Sequence, residues 1–333
     1  MVKRLLALGG ISIGISLMVC SAPQMALAQR PSGSKSGWTP PKTPWGDPDL
    51  QGMWPLNHLI STPFQRPVKF GERRLMTDEE FAAAQKSTEA RNARFESGAI
   101  PQADSGQVTR LTSLMSDPSD GRFPALTEKG KALSDKMRGS YRPGQTVFDS
   151  PDDFDNWDRC ITRGLPVSML PRNYNNGIRI MQSPGYVIIL LEMAHEARII
   201  PTDGRPALDR SIKQWLGESR GHWEGNTLVV ETTNFNGKTG MTNAGVPGSP
   251  AQLHPSTENM RFIERFTRTG NETIEYQMTV QDPEVLTTGW SAAFPMKLDN
   301  SYQMFEYACH EGNTAIRGYI ETSRYERAHK APK

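Results

Sequence analysis

Three side chains in this sequence could move protons: Asp158, His195 and His310. An imidazole titrates near neutral pH without help from its surroundings, so His195 is the natural acid or base. His310 and Asp158 are its expected partners. Asp158 lies in Asn156-Trp157-Asp158-Arg159-Cys160, and His310 directly follows Cys309. If those two cysteines pair, Asp158 is held near His310. The plainer alternative is that Asp158 and Arg159 only make structural salt bridges. Arg163, Tyr174 and Asn176 are expected to position a substrate, with Trp157, Trp290 and Tyr186 as an apolar wall. The run Arg172-Asn173-Tyr174-Asn175-Asn176-Gly177 is also strong turn chemistry in its own right.

Two other chemistries compete. Histidines at 58, 195, 222, 254 and 310, with a nearby carboxylate, are acceptable ligands for a divalent metal. The metal ligands are unassigned, because no His-x-His or His-Glu-x-x-His occurs. Cys309 beside His310 could be a free nucleophile. In an oxidising compartment, however, two cysteines most simply close one disulfide. The chain has no Gly-rich dinucleotide loop, no phosphate-cradling loop and no Gly-x-Ser-x-Gly elbow, so no nucleotide cofactor is expected. The reaction expected from acid–base side chains is of hydrolase or lyase type.

The elements that must carry these residues are mostly strands. Gly177–Gln182, Tyr186–Glu192, His195–Pro201, Trp215–Trp223, Thr227–Thr233, Glu258–Arg268, Thr273–Gln281, Trp290–Leu298, Tyr302–Ala308 and Ala315–Tyr325 read as successive strands. In Thr273–Gln281, Ile274, Tyr276, Met278 and Val280 share one face, the period of a half-buried strand. Leu228-Val229-Val230 is apolar on both faces. Glu224-Gly225-Asn226 and Gly270-Asn271 supply hairpin turns. With no helices between the strands, a parallel βαβ fold is excluded. The expected fold is mainly β: an antiparallel barrel or sandwich, lipocalin-like, with a helical, loop-rich N-terminal extension. On a barrel strand, His195 and His310 could both point inward and meet. Two helices are expected in the extension, Thr77–Glu96 with a Thr77/Glu80 capping box and Thr127–Met137.

The N-terminus reads as an export signal. Lys3 and Arg4 precede an apolar stretch, Leu5–Val19, and Ala26-Leu27-Ala28 offers a cleavage site after Ala28. The mature protein is then periplasmic or secreted. No later stretch is long enough to span a membrane. A net charge of +2 without a basic run argues against a nucleic-acid partner. The partner expected is a small molecule, and the oligomeric state is left open. The chain divides into a signal peptide (1–28), an extended leader arm (29–70) in which Trp54 is buried, a helical and loop-rich region (71–150) and an antiparallel β domain (151–328).

Five motifs carry a resemblance. They are Pro48-Asp49-Leu50-Gln51-Gly52, Asp203-Gly204-Arg205-Pro206, the run from Gly221-His222-Trp223-Glu224-Gly225 to Thr232, Glu264-Arg265-Phe266, and Tyr307-Ala308-Cys309-His310-Glu311-Gly312-Asn313. Together they look like a group of exported bacterial proteins, across nearly the whole mature chain. The resemblance implies export and a β-rich domain, and it carries no activity. Besides the enzyme, the residues allow a β-barrel that only binds an apolar ligand, a histidine-ligated metal protein, or an envelope scaffold with no deep cavity.

Overall fold

The structure is a computed structural model that describes residues 38–97, 107–242, 248–250 and 253–329. The export signal lies outside these residues. Two antiparallel sheets dominate. The first has four strands: β1 (Gly52–Met53), β3 (Ile178–Ser183), β4 (Tyr186–Leu191) and β5 (Ala197–Pro201), in the order β1-β3-β4-β5. The second has six: β2 (Met115–Asp117), β6 (Glu218–Glu224), β7 (Thr227–Thr233), β8 (Arg261–Gly270), β9 (Thr273–Gln281) and β10 (Trp290–Lys297), in the order β2-β10-β9-β8-β7-β6. The sheets do not close into a barrel, and the arrangement is that of a sandwich.

Side-chain alternation explains the core. Ile274, Tyr276, Met278 and Val280 of β9 are all fully buried, and Phe262, Glu264 and Phe266 face inward beside them on β8. On β4, Val187, Ile189 and Leu191 are buried. Tyr186, Ile188 and Leu190 are only half-buried, so this run is not covered on both faces as its apolar sequence suggests. Thr227 to Val230 of β7 are all buried, as a two-sided stretch should be. Gly225, at φ +60°, makes the β6–β7 turn.

The N-terminal region is woven into both sheets. β1 pairs with β3, and β2 pairs with β10. Leu50, Trp54, Leu56, Leu59 and Phe64 enter the same core as the sheets. Helix α1 (Asp78–Glu96) has the expected capping box: Thr77 Oγ1 accepts from Glu80 N at 3.2 Å, and Glu80 Oε2 accepts from Thr77 N at 2.8 Å. Helix α2 (Glu128–Lys136) is capped by Thr127, whose Oγ1 accepts from Gly130 N at 3.0 Å and donates to Glu284 O at 2.6 Å.

Gly130 lets α2 sit directly on the Asp282–Leu286 turn. A β-carbon there would run into the Val285 carbonyl. Alanine is the better helix former by about 1 kcal/mol, but overpacking against fixed backbone costs roughly 1–3 kcal/mol. Gly130→Ala is therefore expected to lose about 1 kcal/mol net. Urea unfolding checks this, and a gain in stability would show that α2 is free to shift.

Two expected strands are something else. Tyr302–Ala308 forms no ladder; it is an extended strap whose contacts run to side chains of the first sheet. Ala315–Ala328 is a helix, α3. Its inner face repeats at i, i+4 and i+7 through Ile316, Ile320 and the buried Ser323, a helical period that the strand reading overlooked. Arg317 and Glu321 add an i,i+4 pair at 2.7 Å.

Candidate functional site

The site is assembled by two irregular segments that a disulfide joins. The first is the loop from Asp155 to Arg163. Asp158 N donates to Asp155 Oδ1 at 2.7 Å, and Asp155 N donates to Asp158 Oδ2 at 3.4 Å, so two aspartates three residues apart close a tight turn on each other. Cys160 leaves the turn with φ +57°. The second segment is the strap. Glu192, buried at the end of β4, accepts from Gly177 N (2.9 Å), Asn175 Nδ2 (3.1 Å), Tyr302 Oη (2.6 Å) and Phe305 N (3.0 Å). Cys160 and Cys309 are bonded, with Cα atoms 5.7 Å apart. The expected disulfide is present.

The disulfide brings Tyr307 onto the loop. Tyr307 packs on Trp157 with ring centroids 5.4 Å apart and lies nearly parallel to Tyr174 at 6.3 Å. The Arg163 guanidinium sits 3.6 Å from the centre of the Trp157 ring, a close cation–π stack. Arg163 also donates to the Tyr174 hydroxyl. Burial, and then a hydrogen bond with Tyr174, raise the Tyr307 phenol above its ordinary range. Behind Arg163 lies Arg172, which burial and the Arg163 charge push well below the usual arginine value.

These residues open on a narrow cleft. Its walls include Trp157, Arg163, Asp155 and Asn156 from the loop, and Met137, Arg138, Tyr141 and Arg142 from the segment that follows α2. The Asp155 carboxyl is pushed up to about 6, first by burial and then by the neighbouring Asp158. Hydrogen bonds from Asp158 N and Trp157 N, and the Arg163 charge, pull partly the other way. Asp155 is thus a carboxyl that exchanges its proton near neutral pH on the wall of a cleft.

Trp157, Arg163 and Tyr174 do form one cluster. Asp158 lies beside it, but its carboxylate accepts from Ser140 N at 2.8 Å and Ser140 Oγ at 2.5 Å. His195 is not on a strand. It follows Ala194 in a left-handed turn, is exposed, and donates from Nδ1 to the Tyr307 carbonyl at 3.1 Å. His310 is exposed just beyond the disulfide. No hydrogen bond joins the side chains of Asp158, His195 and His310, so the geometry expected of a triad inside a barrel is not formed.

Asn176 is locked in its turn by Arg172 N (2.5 Å), Arg172 O (2.6 Å) and Asn57 Oδ1 (3.1 Å). Trp290 is a core residue packed on Phe64 and Phe123. Tyr186 lies under Arg205 in a separate open groove beside Trp215.

Sequence reasoning missed Asp155, Tyr307, Tyr141, Arg138 and Arg142. A signal for Asp155 was present in its spacing to Asp158, the three-residue step at which short acidic side chains bond each other's backbone. Among the described residues, no group of three or more His, Cys, Asp or Glu side chains could hold a metal ion. The histidines are dispersed: His58 bonds the Pro295 carbonyl, His222 bonds Glu224, and His254 packs on Phe123. Among the described residues, no helix is long and apolar enough to cross a membrane. No protein-family model, curated protein or solved structure matches the chain.

Proposed function

We propose that this protein is an exported enzyme, of hydrolase or lyase type, that acts on a small organic substrate by acid–base chemistry. Asp155 is the proton-transfer group, and Arg163 with Trp157 binds the substrate beside it. The carrying observation is the placement of Asp155: a carboxyl titrating near neutral pH, on a cleft wall, next to a stacked arginine. That is the combination a general base needs, reach first and then a matched pKa. The role passes from His195 to Asp155 because Asp155 lines the cleft and His195 does not. Export is supported by the N-terminal pattern and agrees with a disulfide.

As a base, Asp155 works when ionised, so kcat should rise as pH rises through about 6. Turnover of p-nitrophenyl esters is the first assay. Asp155→Asn is expected to lower kcat by about 10²–10⁴-fold and to remove that limb of the profile. His195→Gln should stay close to the parent rate. An Asp155→Asn variant with the parent rate would end this reading. A binding module is the second reading, favoured by the aromatic–arginine stack, which needs no reacting group. It predicts that no ester is turned over while organic ligands still bind.

A further inference from the structure

We infer that β5 is a receptor edge for an extended peptide, which pairs with it as an added strand and sets a basic side chain against Glu196. The groove along this edge is separate from the Asp155 cleft, so the inference goes beyond the acid–base reading. β5 ends the order β1-β3-β4-β5, and among the described residues no strand pairs with its outer side. Successive residues of a strand point their N–H and C=O groups to opposite sides. Leu191 N donates to Glu196 O and Thr202 N donates to Gly185 O, both at 2.8 Å, so the even-numbered residues face β4. The N–H and C=O groups of Ala197 and Ile199, and the C=O of Pro201, therefore point off the sheet. Among the described residues none of them is hydrogen-bonded. Edges are commonly guarded by outward charges or bulges. Here the outward side chains are Ala197 and Ile199, and the β4–β5 register is unbroken.

The edge also has room beside it. A groove of about 1040 Å³ lies between β5 and the segment 213–220, ample for a short strand. Its apolar walls are open: Ile199 is 64% exposed, Leu208 is 42% exposed and Trp215 is half-buried. Strand addition uses both features, main-chain bonds for affinity and alternate side chains for fit.

Charge decides the partner's chemistry. Each cation lining the groove already has a carboxylate: Arg198 with Glu264, Arg205 with Asp203, Arg220 with Glu218, and Lys213 with Glu258 at 3.5 Å. Glu196, at the start of β5, is the carboxylate left over. It accepts from Ser168 Oγ at 3.1 Å and from the Thr162 hydroxyl. Those neutral groups aim the carboxylate and leave its charge in place. A lysine or arginine of the incoming strand would compensate it. A second copy of β5, paired antiparallel around Ile199, would bring Thr202 rather than a cation opposite Glu196.

The test is calorimetric titration of the whole disulfide-bonded protein with end-capped hexapeptides. KVTVTV is expected to bind, and EVTVTV to bind at least about tenfold more weakly. N-methylation of one alternating set of KVTVTV amides should cost about fivefold to tenfold, and the other set should be tolerated, because an added strand offers only every second N–H to β5. These comparisons leave the protein unaltered, so folding does not enter. Ile199→Pro removes one outward N–H and no bond to β4; it should lose about tenfold, with its fold checked by circular dichroism. Glu196→Gln should bring the KVTVTV and EVTVTV affinities within about twofold of each other.

Equal binding of KVTVTV and EVTVTV overturns the inference, as do equal losses from the two N-methylated sets. No binding of KVTVTV also overturns it. Butylamine binding as tightly as KVTVTV would make Glu196 a simple cation site and end the strand reading. A dimer in sedimentation that Ile199→Pro dissociates, without peptide binding, would give the edge to a second copy and end it too. Binding is read without turnover, so these results are separate from the rate loss in Asp155→Asn, which tests the acid–base role alone.

Discussion

Replacing Cys160 and Cys309 together by serine is expected to lower the free energy of unfolding by about 3–5 kcal/mol. The two residues are 149 apart in sequence, and freeing so long a loop returns much entropy to the unfolded chain. The chain-entropy estimate for that separation is about 5 kcal/mol, an upper figure, because residual structure in the unfolded state reduces it. The loss should not be confined to stability. Without the bond, the strap keeps its contacts to Glu192 and His195, while the Tyr307 packing on Trp157 and the Asn313 contact to the Asp158 carbonyl lose their covalent anchor. Near-ultraviolet circular dichroism should therefore lose part of the Trp157–Tyr307 signal before global unfolding. Urea titrations of the oxidised protein and the serine variant measure the first effect. Equal midpoints with equal slopes would show that the disulfide does not constrain this fold.

The second large effect lies between the sheets. Arg198 on β5 reaches across to Glu264 on β8; Nη1 donates to Oε1 at 2.9 Å and Nη2 pairs with Oε2. Both side chains are buried, at 2% and 0% exposure. Tyr276 Oη donates to Glu264 at 2.8 Å, and Ser219 and Thr232 sit beside Arg198. Glu264→Ala leaves the guanidinium charged and dry, which is expected to cost about 3–5 kcal/mol. Replacing the whole pair with apolar residues of similar size, Arg198→Met with Glu264→Leu, should recover most of that loss. A double-mutant cycle in urea decides between the two outcomes. If the double variant is no more stable than Glu264→Ala, the pair contributes more than its own desolvation, through Tyr276 and the hydroxyls.

Much of this was legible in the sequence where one element decides its own conformation. The β9 face of Ile274, Tyr276, Met278 and Val280 follows from a period of two. The Thr77–Glu80 box and the Gly225 turn are local chemistry. Arginine pairing was harder. Arg205 bonds Asp203 at 2.9 Å, two residues away in its own turn, and Arg198 goes into the core. Arg163 instead joins the cleft-side cluster with Trp157 and Tyr174.

The sequence by itself determined a β-rich, antiparallel chain with one disulfide, the buried Trp54 and the segment around Trp157 and Arg163. These depend on periodicity, turn chemistry and cysteine count, which neighbouring residues carry. Tertiary structure alone decided that the sheets stay open and that Tyr302–Ala308 is a strap rather than a strand. It also placed Trp290 in the core and turned His195 toward a backbone carbonyl, leaving Asp155 as the carboxyl on the cleft. The reason is physical. A side chain's proton affinity and reach are set by burial and by charges from distant segments, and the Asp155 value arises only where the loop, the strap and the segment after α2 meet.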